Sequence, residues 1–179
     1  MDAGAEGDSI HTTKTGVYYV SHQNGSLSDP NEFASLLMQD VDGSELAFAK
    51  QAFDAAPDAV NFWMGGADAV TSLHKDHYEN VYSVIRGCKH FTLFSPTSVN
   101  HLTTKDLPAA QYRERDDGTF ALEASEEPSR PWIVVDPDDE GTHDEAYAKC
   151  QRVDVTVEAG DVLYLPSLWY HQVRVGVGN

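Results

Sequence analysis

A chain of 179 residues with 29 acidic and 12 basic side chains, a formal charge of −17, has the size of one domain with room for a sizeable core. Its surface would repel polyphosphate, which argues against non-specific nucleic-acid binding and leaves a basic polypeptide as the partner that charge favours. The 41% hydrophobic content excludes a disordered chain, and neither an apolar run long enough for a membrane helix nor a basic-then-hydrophobic leader is present.

Residues 1–15, rich in Gly, Ala, Asp and Glu, read as a disordered edge. Gly16 to Val20 is a short strand candidate. Pro30 to Gln39 carries Phe33, Leu36 and Leu37 at helical spacing, with Asp29 as N-cap and Pro30 at the first helical position. Ser44 to Phe53 repeats that pattern more weakly, and both helices are expected to flank a sheet. From Ala59 onward strands dominate: Val60 to Gly65, Val70 to His74, Asn80 to Arg86 and Lys89 to Phe94. A second group follows at Arg152 to Val157, Asp161 to Pro166 and Gln172 to Val177. Short strands separated by Gly and Pro turns indicate a sandwich or barrel. Between the groups, residues 96–151 read as an acidic insert without regular structure apart from a helical turn at Asp144 to Lys149. Such a stretch is either a solvated insert or a substrate-contacting lid. Cys88 and Cys150 have no neighbours at metal-binding spacing, so free thiols in a reducing compartment are expected. That compartment is the cytoplasm, with the nucleus as a second location.

The chemistry concentrates in His74 and Asp76, with His171 far downstream behind the strand GDVLYLPSLWYH. In an extended segment, residues i and i+2 project to one face, whereas on a helix they would lie about 200° apart. His74 and Asp76 can therefore converge while Lys75 turns away. Two imidazoles and one carboxylate are the ligand set of a non-haem iron(II) site with one face left open. His77 sits at an odd offset from His74 and is expected on the opposite face. His22, His90, His101 and His143 read as structural residues, and Trp63, Tyr82, Phe91, Phe94 and Trp169 as core or pocket wall.

The stretch TSLHKDHYENVYSVIRGCKHFTLFSP (residues 71–96) resembles the JmjC branch of the Fe(II)- and 2-oxoglutarate-dependent oxygenases, and GDVLYLPSLWYHQV (residues 160–173) resembles their distal-histidine strand. With DAVNFW before the motif, the likeness is greatest to the small JmjC-only lysyl hydroxylases that act on developmentally regulated GTP-binding proteins. It spans Gly16 to the C-terminus as one oxygenase domain, residues 16–179. The implied fold is an all-β, cupin-like double-stranded β-helix, or jelly roll, with flanking N-terminal helices. The implied cofactors are Fe(II) and 2-oxoglutarate, with O2 as cosubstrate. Carried over by position, His74, Asp76 and His171 correspond to the iron ligands and Lys89 to the lysine that pairs with the far carboxylate of 2-oxoglutarate. Thr71, Asn80 and Tyr19 match hydroxyl and amide positions around the same molecule. The chain ends at Asn179, before the family's last strand and its C-terminal helices, so the resemblance implies a domain truncated there, with an exposed sheet edge and an unsettled oligomeric state.

The resemblance implies a protein hydroxylase acting on a lysine side chain, its substrate a basic segment or a GTP-binding protein. Alternatives keep the cofactors and change the target: demethylation of N-methyl-lysine, or hydroxylation of Asn, His or a tRNA base, the last disfavoured by charge. Peptidase activity is disfavoured because no HExxH motif is present. A catalytically silent cupin-like binding module is the reading from another class, opposed by the HxD spacing and by Lys89.

Overall fold

The apolar alternation that begins near residue 60 resolves into two antiparallel layers facing each other across a core. The computed structural model describes residues 17–21, 25–27, 37, 40 and 46–176. The N-terminal edge, the Asp29 cap and all but Leu37 of the helix expected over Pro30 to Gln39 lie outside the described residues. The described elements are β1 (Tyr19–Ser21), α1 (Ala47–Phe53), β2 (Trp63–Gly65), β3 (Val70–Lys75), β4 (Asn80–Ser83), β5 (Cys88–Phe94), β6 (Thr104–Leu107), β7 (Ala110–Glu114), β8 (Phe120–Ala124), β9 (Arg130–Ile133), β10 (Val153–Glu158), β11 (Val162–Leu165) and β12 (Tyr170–Gly176). No helix among them is long and apolar enough to cross a membrane.

The larger layer has the strand order β10-β5-β12-β3, and β4 pairs with β11 in the layer that faces it. Opposed residues in an antiparallel pair share a face, so the register states which side chains meet. Val157, Val155, Lys89, Phe91, Leu93, Val175, Val173 and His171 all line the inner face. Phe91, Leu93, Val157 and Val173 form the core there with Val84 and Leu165, and Tyr82 and Leu163 of the opposite layer close on them. The Tyr82 ring stacks on Trp63 at 5.7 Å and meets Phe91 edge-on at 5.0 Å. This is a jelly roll.

The outer face of the large sheet is buried as well, which is why His90 is the only exposed residue of β5. Leu73, Phe94 and Tyr170 pack there against Leu102, with Ile133, Tyr147 and Cys150 over them. Beside that patch runs a polar network. Gln172, 2% exposed, donates to Asp136 at 2.9 Å, and Arg152 and Arg174 each reach Asp138 at 2.7 Å. Thr92 donates to Asp154, which Arg152 also holds. The segment from Val134 to Arg152 is thereby clamped onto the back of the sheet.

The expectation of an insert without regular structure is corrected. Residues 104–133 form a nested β-ribbon in which β6 pairs with β9 and β7 with β8. Its turn carries Asp117 and Gly118, the latter at φ 77°, a pairing that favours tight hairpins. The alternation of Tyr112, Phe120 and Leu122 with polar residues is diluted by charges, and so reads weakly from sequence. The helical turn expected at Asp144 to Lys149 is a single 3-10 turn over Tyr147–Lys149, with the Asp144 carboxylate accepting from the Tyr147 N–H at 2.8 Å.

Phe91 is 1% exposed at the centre of the core. Phe91→Ala is expected to lower unfolding free energy by about 3–5 kcal/mol, read as a shift in the urea midpoint at unchanged slope.

Candidate metal centre

At one end of the inner face, β3 and β12 run side by side with His74 directly opposite His171. Their rings lie 4.2 Å apart between centroids. Asp76 follows the end of β3, and its Oδ2 stands 3.7 Å from His171 Nε2. One ligand atom from each of His74, Asp76 and His171 falls within 4.8 Å of the others. The loop before β12 holds Asp76 in place, because the Leu168 N–H donates to the Asp76 carbonyl at 2.8 Å. Leu168 adopts a left-handed backbone, φ 68°, unusual for a residue with a Cβ and common at functional loops. Below it, Glu79 accepts from the Tyr164 hydroxyl at 2.6 Å and the Ser167 N–H at 3.2 Å, tying the turn after Asp76 to the same loop.

Both histidines are held in one tautomer. His74 Nδ1 lies 2.8 Å from the Ser72 carbonyl and His171 Nδ1 3.1 Å from the Trp169 carbonyl. A carbonyl only accepts, so each Nδ1 carries the proton and each Nε2 presents a lone pair. Burial, with His74 beside it, lowers the His171 pKa from 6.5 to about 4, so this imidazole is neutral and able to ligate at pH 7. The Asn80 amide donates to Asp76 Oδ2 at 3.0 Å and aims the carboxylate.

A second cluster lies further along the same inner face. Lys89 opposes Val175, four residues along β12 from His171, a separation of about 13 Å at the usual strand rise. It is 8% exposed, and its Nζ has no hydrogen-bond partner among the described residues. Burial lowers its pKa, and the Tyr19 ring sits under the ammonium at 5.1 Å. Tyr19 opposes Gly65 on β2, where an added Cβ would lie 2.6 Å from the Tyr19 ring, so glycine is what lets the ring fold inward. The Tyr19 hydroxyl hydrogen-bonds Thr71, and its pKa is raised chiefly by burial. The Tyr82 phenol is pushed up further, by burial and by Tyr19 beside it.

Of the residues singled out from sequence, the structure brings His74, Asp76 and His171 into one cluster with Asn80 against it, and Lys89, Tyr19 and Thr71 into the other. His77 is exposed beyond the end of β3. His90 and His143 have partners of their own in Thr156 and the Asp136 carbonyl, and His22 lies outside the described residues. Sequence reasoning missed the orienting carbonyls of Ser72 and Trp169, since a backbone acceptor leaves no residue-type signal. Tyr82 was read as wall and stands beside Tyr19.

A profile of the cupin-like domain matches residues 3–176. The chain belongs to the cupin-like domain family. Its relatives place it in the JmjC branch. It is 41% identical over 165 residues to the human bifunctional peptidase and (3S)-lysyl hydroxylase JMJD7, covering 91% of this chain and 51% of that protein. It is 42% identical over 174 residues to the Arabidopsis thaliana lysine-specific demethylase JMJ32, covering 91% and 49%. The Dictyostelium discoideum JmjC domain-containing protein E matches at 41% over 169 residues, 87% and 47%. The chain thus spans about half the length of these relatives. JmjC proteins are in general Fe(II)- and 2-oxoglutarate-dependent.

The donor set suits a ferrous ion, and the Lys89 ammonium, without a hydrogen-bond partner among the described residues, suits an anionic ligand on the same inner face. His74→Ala or His171→Ala is expected to abolish binding of Mn(II) as a ferrous surrogate. Asn80→Ala should weaken it about 10–100-fold by releasing Asp76, measured by calorimetric titration.

Proposed function

We propose that this chain is the oxygenase domain of an Fe(II)- and 2-oxoglutarate-dependent protein hydroxylase whose target is a lysine side chain. The observation that carries the reading is the buried Lys89 ammonium, unpartnered among the described residues, on the same inner face as His171 and the His74–Asp76–His171 cluster it helps form. A buried unpaired lysine is costly and is explained if a carboxylate completes it.

In this reading His74 and His171, through Nε2, and Asp76 hold the iron, and their hydrogen bonds to Ser72, Trp169 and Asn80 keep the donors from turning away. Lys89 receives the far carboxylate of 2-oxoglutarate, with the Tyr19 and Thr71 hydroxyls beside it. Bound together, iron and 2-oxoglutarate would supply the oxidising power that places one oxygen atom of O2 on a substrate C–H bond, with succinate and carbon dioxide as coproducts. The chain's own work is placement and exclusion of water by Tyr82, Phe91 and Trp63. No side chain is required as nucleophile or general acid.

Lysine as target follows the (3S)-lysyl hydroxylase activity of the human relative, and the charge of −17 favours a basic protein segment, a GTP-binding protein among the candidates. Removal of a methyl group from lysine is the second reading, favoured by the Arabidopsis relative. Intact mass of a lysine-containing peptide separates the two, as gain of one oxygen or loss of a methyl. Both cysteines are free thiols, in keeping with the cytoplasm or nucleus.

Succinate release with Fe(II), ascorbate and 2-oxoglutarate is expected and should vanish in His74→Ala; iron-independent release, or none at all from the unaltered chain, would sink the reading. Lys89→Ala should weaken 2-oxoglutarate about 10–100-fold, the worth of a charged hydrogen bond. The free Lys89 pKa lies below 10.5, and a bound carboxylate favours its charged form. Affinity for 2-oxoglutarate is therefore full below the free-state pKa and lost as pH rises through it, at a lower pH than an ordinary lysine would show. Lys89→Met should flatten that dependence in calorimetric titrations.

A further inference from the structure

The β6–β9 ribbon supplies no residue to either cluster, and its composition is not that of a solvated arm. In the register of β7 and β8, Ala110 opposes Ala124, Tyr112 opposes Leu122, and Glu114 opposes Phe120. Opposed residues share a face, so Tyr112, Phe120, Leu122 and the two alanines make one mainly apolar side, with Glu114 at its end. Gln111, Arg113 and Glu123 occupy the other, where Arg113 and Glu123 pair at 2.9 Å. Tyr112 is 64% exposed, Leu122 55% and Phe120 38%. A ribbon surrounded by water needs no apolar side, and contiguous exposed apolar surface marks an interaction site. Among the described residues, neither core cluster includes Tyr112, Phe120 or Leu122.

The charge around that side selects the occupant. Arg113 and Arg130 are matched by Glu123 and Glu127. The ribbon's other carboxylates, on Asp106, Glu114, Asp116, Asp117 and Glu126, outnumber its other cations, Lys105 and Arg115. An apolar strip with an acidic rim, on a chain of charge −17, complements a basic polypeptide with apolar side chains and repels a second copy of itself.

The base of the ribbon reaches the metal centre. The Trp132 indole N–H donates to the Ser72 hydroxyl at 3.3 Å, and the Ser72 carbonyl is the acceptor that orients His74. A polypeptide lying along the ribbon would therefore run toward the ligand cluster. We propose that the β6–β9 ribbon is a docking arm for a basic protein substrate, seating the partner's apolar side chains on Tyr112, Phe120 and Leu122 and its cations against the surrounding carboxylates. The arm gives the enzyme a binding site separate from the reacting lysine, so affinity comes from a segment remote from the chemistry. This role rests on the hydroxylase reading.

The test uses the full chain and a fluorescent 20-residue peptide built of lysine and leucine, with a lysine and glycine peptide of equal charge as comparison. The double variant Tyr112→Ser, Leu122→Ser alters exposed positions only. It should bind the lysine and leucine peptide on the order of ten-fold more weakly, keep the unaltered chain's thermal midpoint, and keep peptide-independent turnover of 2-oxoglutarate. The lysine and glycine peptide should bind weakly to both proteins. Equal binding of the two peptides, or no loss in the double variant, overturns the docking arm. So does a lower thermal midpoint in the variant, which would mean that the chain covers this face itself, or a dimer of the unaltered chain that the variant dissociates. Because the binding measurement needs no iron, absence of 2-oxoglutarate turnover in both proteins with the peptide result intact would count against the hydroxylase reading alone.

Discussion

A single extra residue in β3 aligns the interior of this domain. His74 opposes His171 and Thr71 opposes Val173, so Ser72 and Leu73 together face Gln172 alone. Strict alternation would place His74 and Thr71 on opposite sides of the sheet. The bulge restores Thr71 to the inner face, beside Tyr19 and near Lys89, while His74 keeps its place against His171. It also leaves the Ser72 carbonyl 2.8 Å from His74 Nδ1. The ligand cluster and the cationic cluster share the inner face because of this shift.

A sheet carrying such a site must not slip in register, and burial of both its faces supplies the rigidity. The inner face is closed by β4 and β11 through Tyr82, Leu163 and Leu165, and the outer face by Leu102, Tyr147 and the Asp136–Asp138 network. Gln172 neighbours His171 in β12 and points outward to Asp136. The strand bearing the distal histidine is therefore gripped from behind by the segment that follows the ribbon. The same segment that reads as loose acidic sequence is a structural wall.

Along one inner face the two clusters have opposite characters. The ligand cluster has all its orienting hydrogen bonds made before any metal arrives, and such pre-orientation limits the reorganisation that binding demands. The cationic cluster is strained in the other sense, with a buried ammonium lacking an acceptor and two tyrosines whose phenols are held neutral by burial. An anionic ligand at the Lys89 end would supply the missing charge, which is the role the proposed function gives to 2-oxoglutarate.

The partnership of His74 with Asp76 was legible in the sequence because the two-residue period of a strand is a local property, and so was the run of strands from residue 60 to 94. The ribbon was not, because its apolar residues alternate with charges and its pairing of Thr104 with Ile133 is settled by closure over 28 intervening positions rather than by local pattern. Thr71 could be matched to a family position, yet its direction could not be read without the bulge, which exists only once β12 lies beside β3. Residue types and short-range spacing were the sequence's own to determine: a β domain, an acidic surface and a His-x-Asp pair. Which distant histidine joins that pair, which carbonyls set its tautomers and which lysine is left without a partner were decided by tertiary structure, because each depends on strands brought together from opposite ends of the chain.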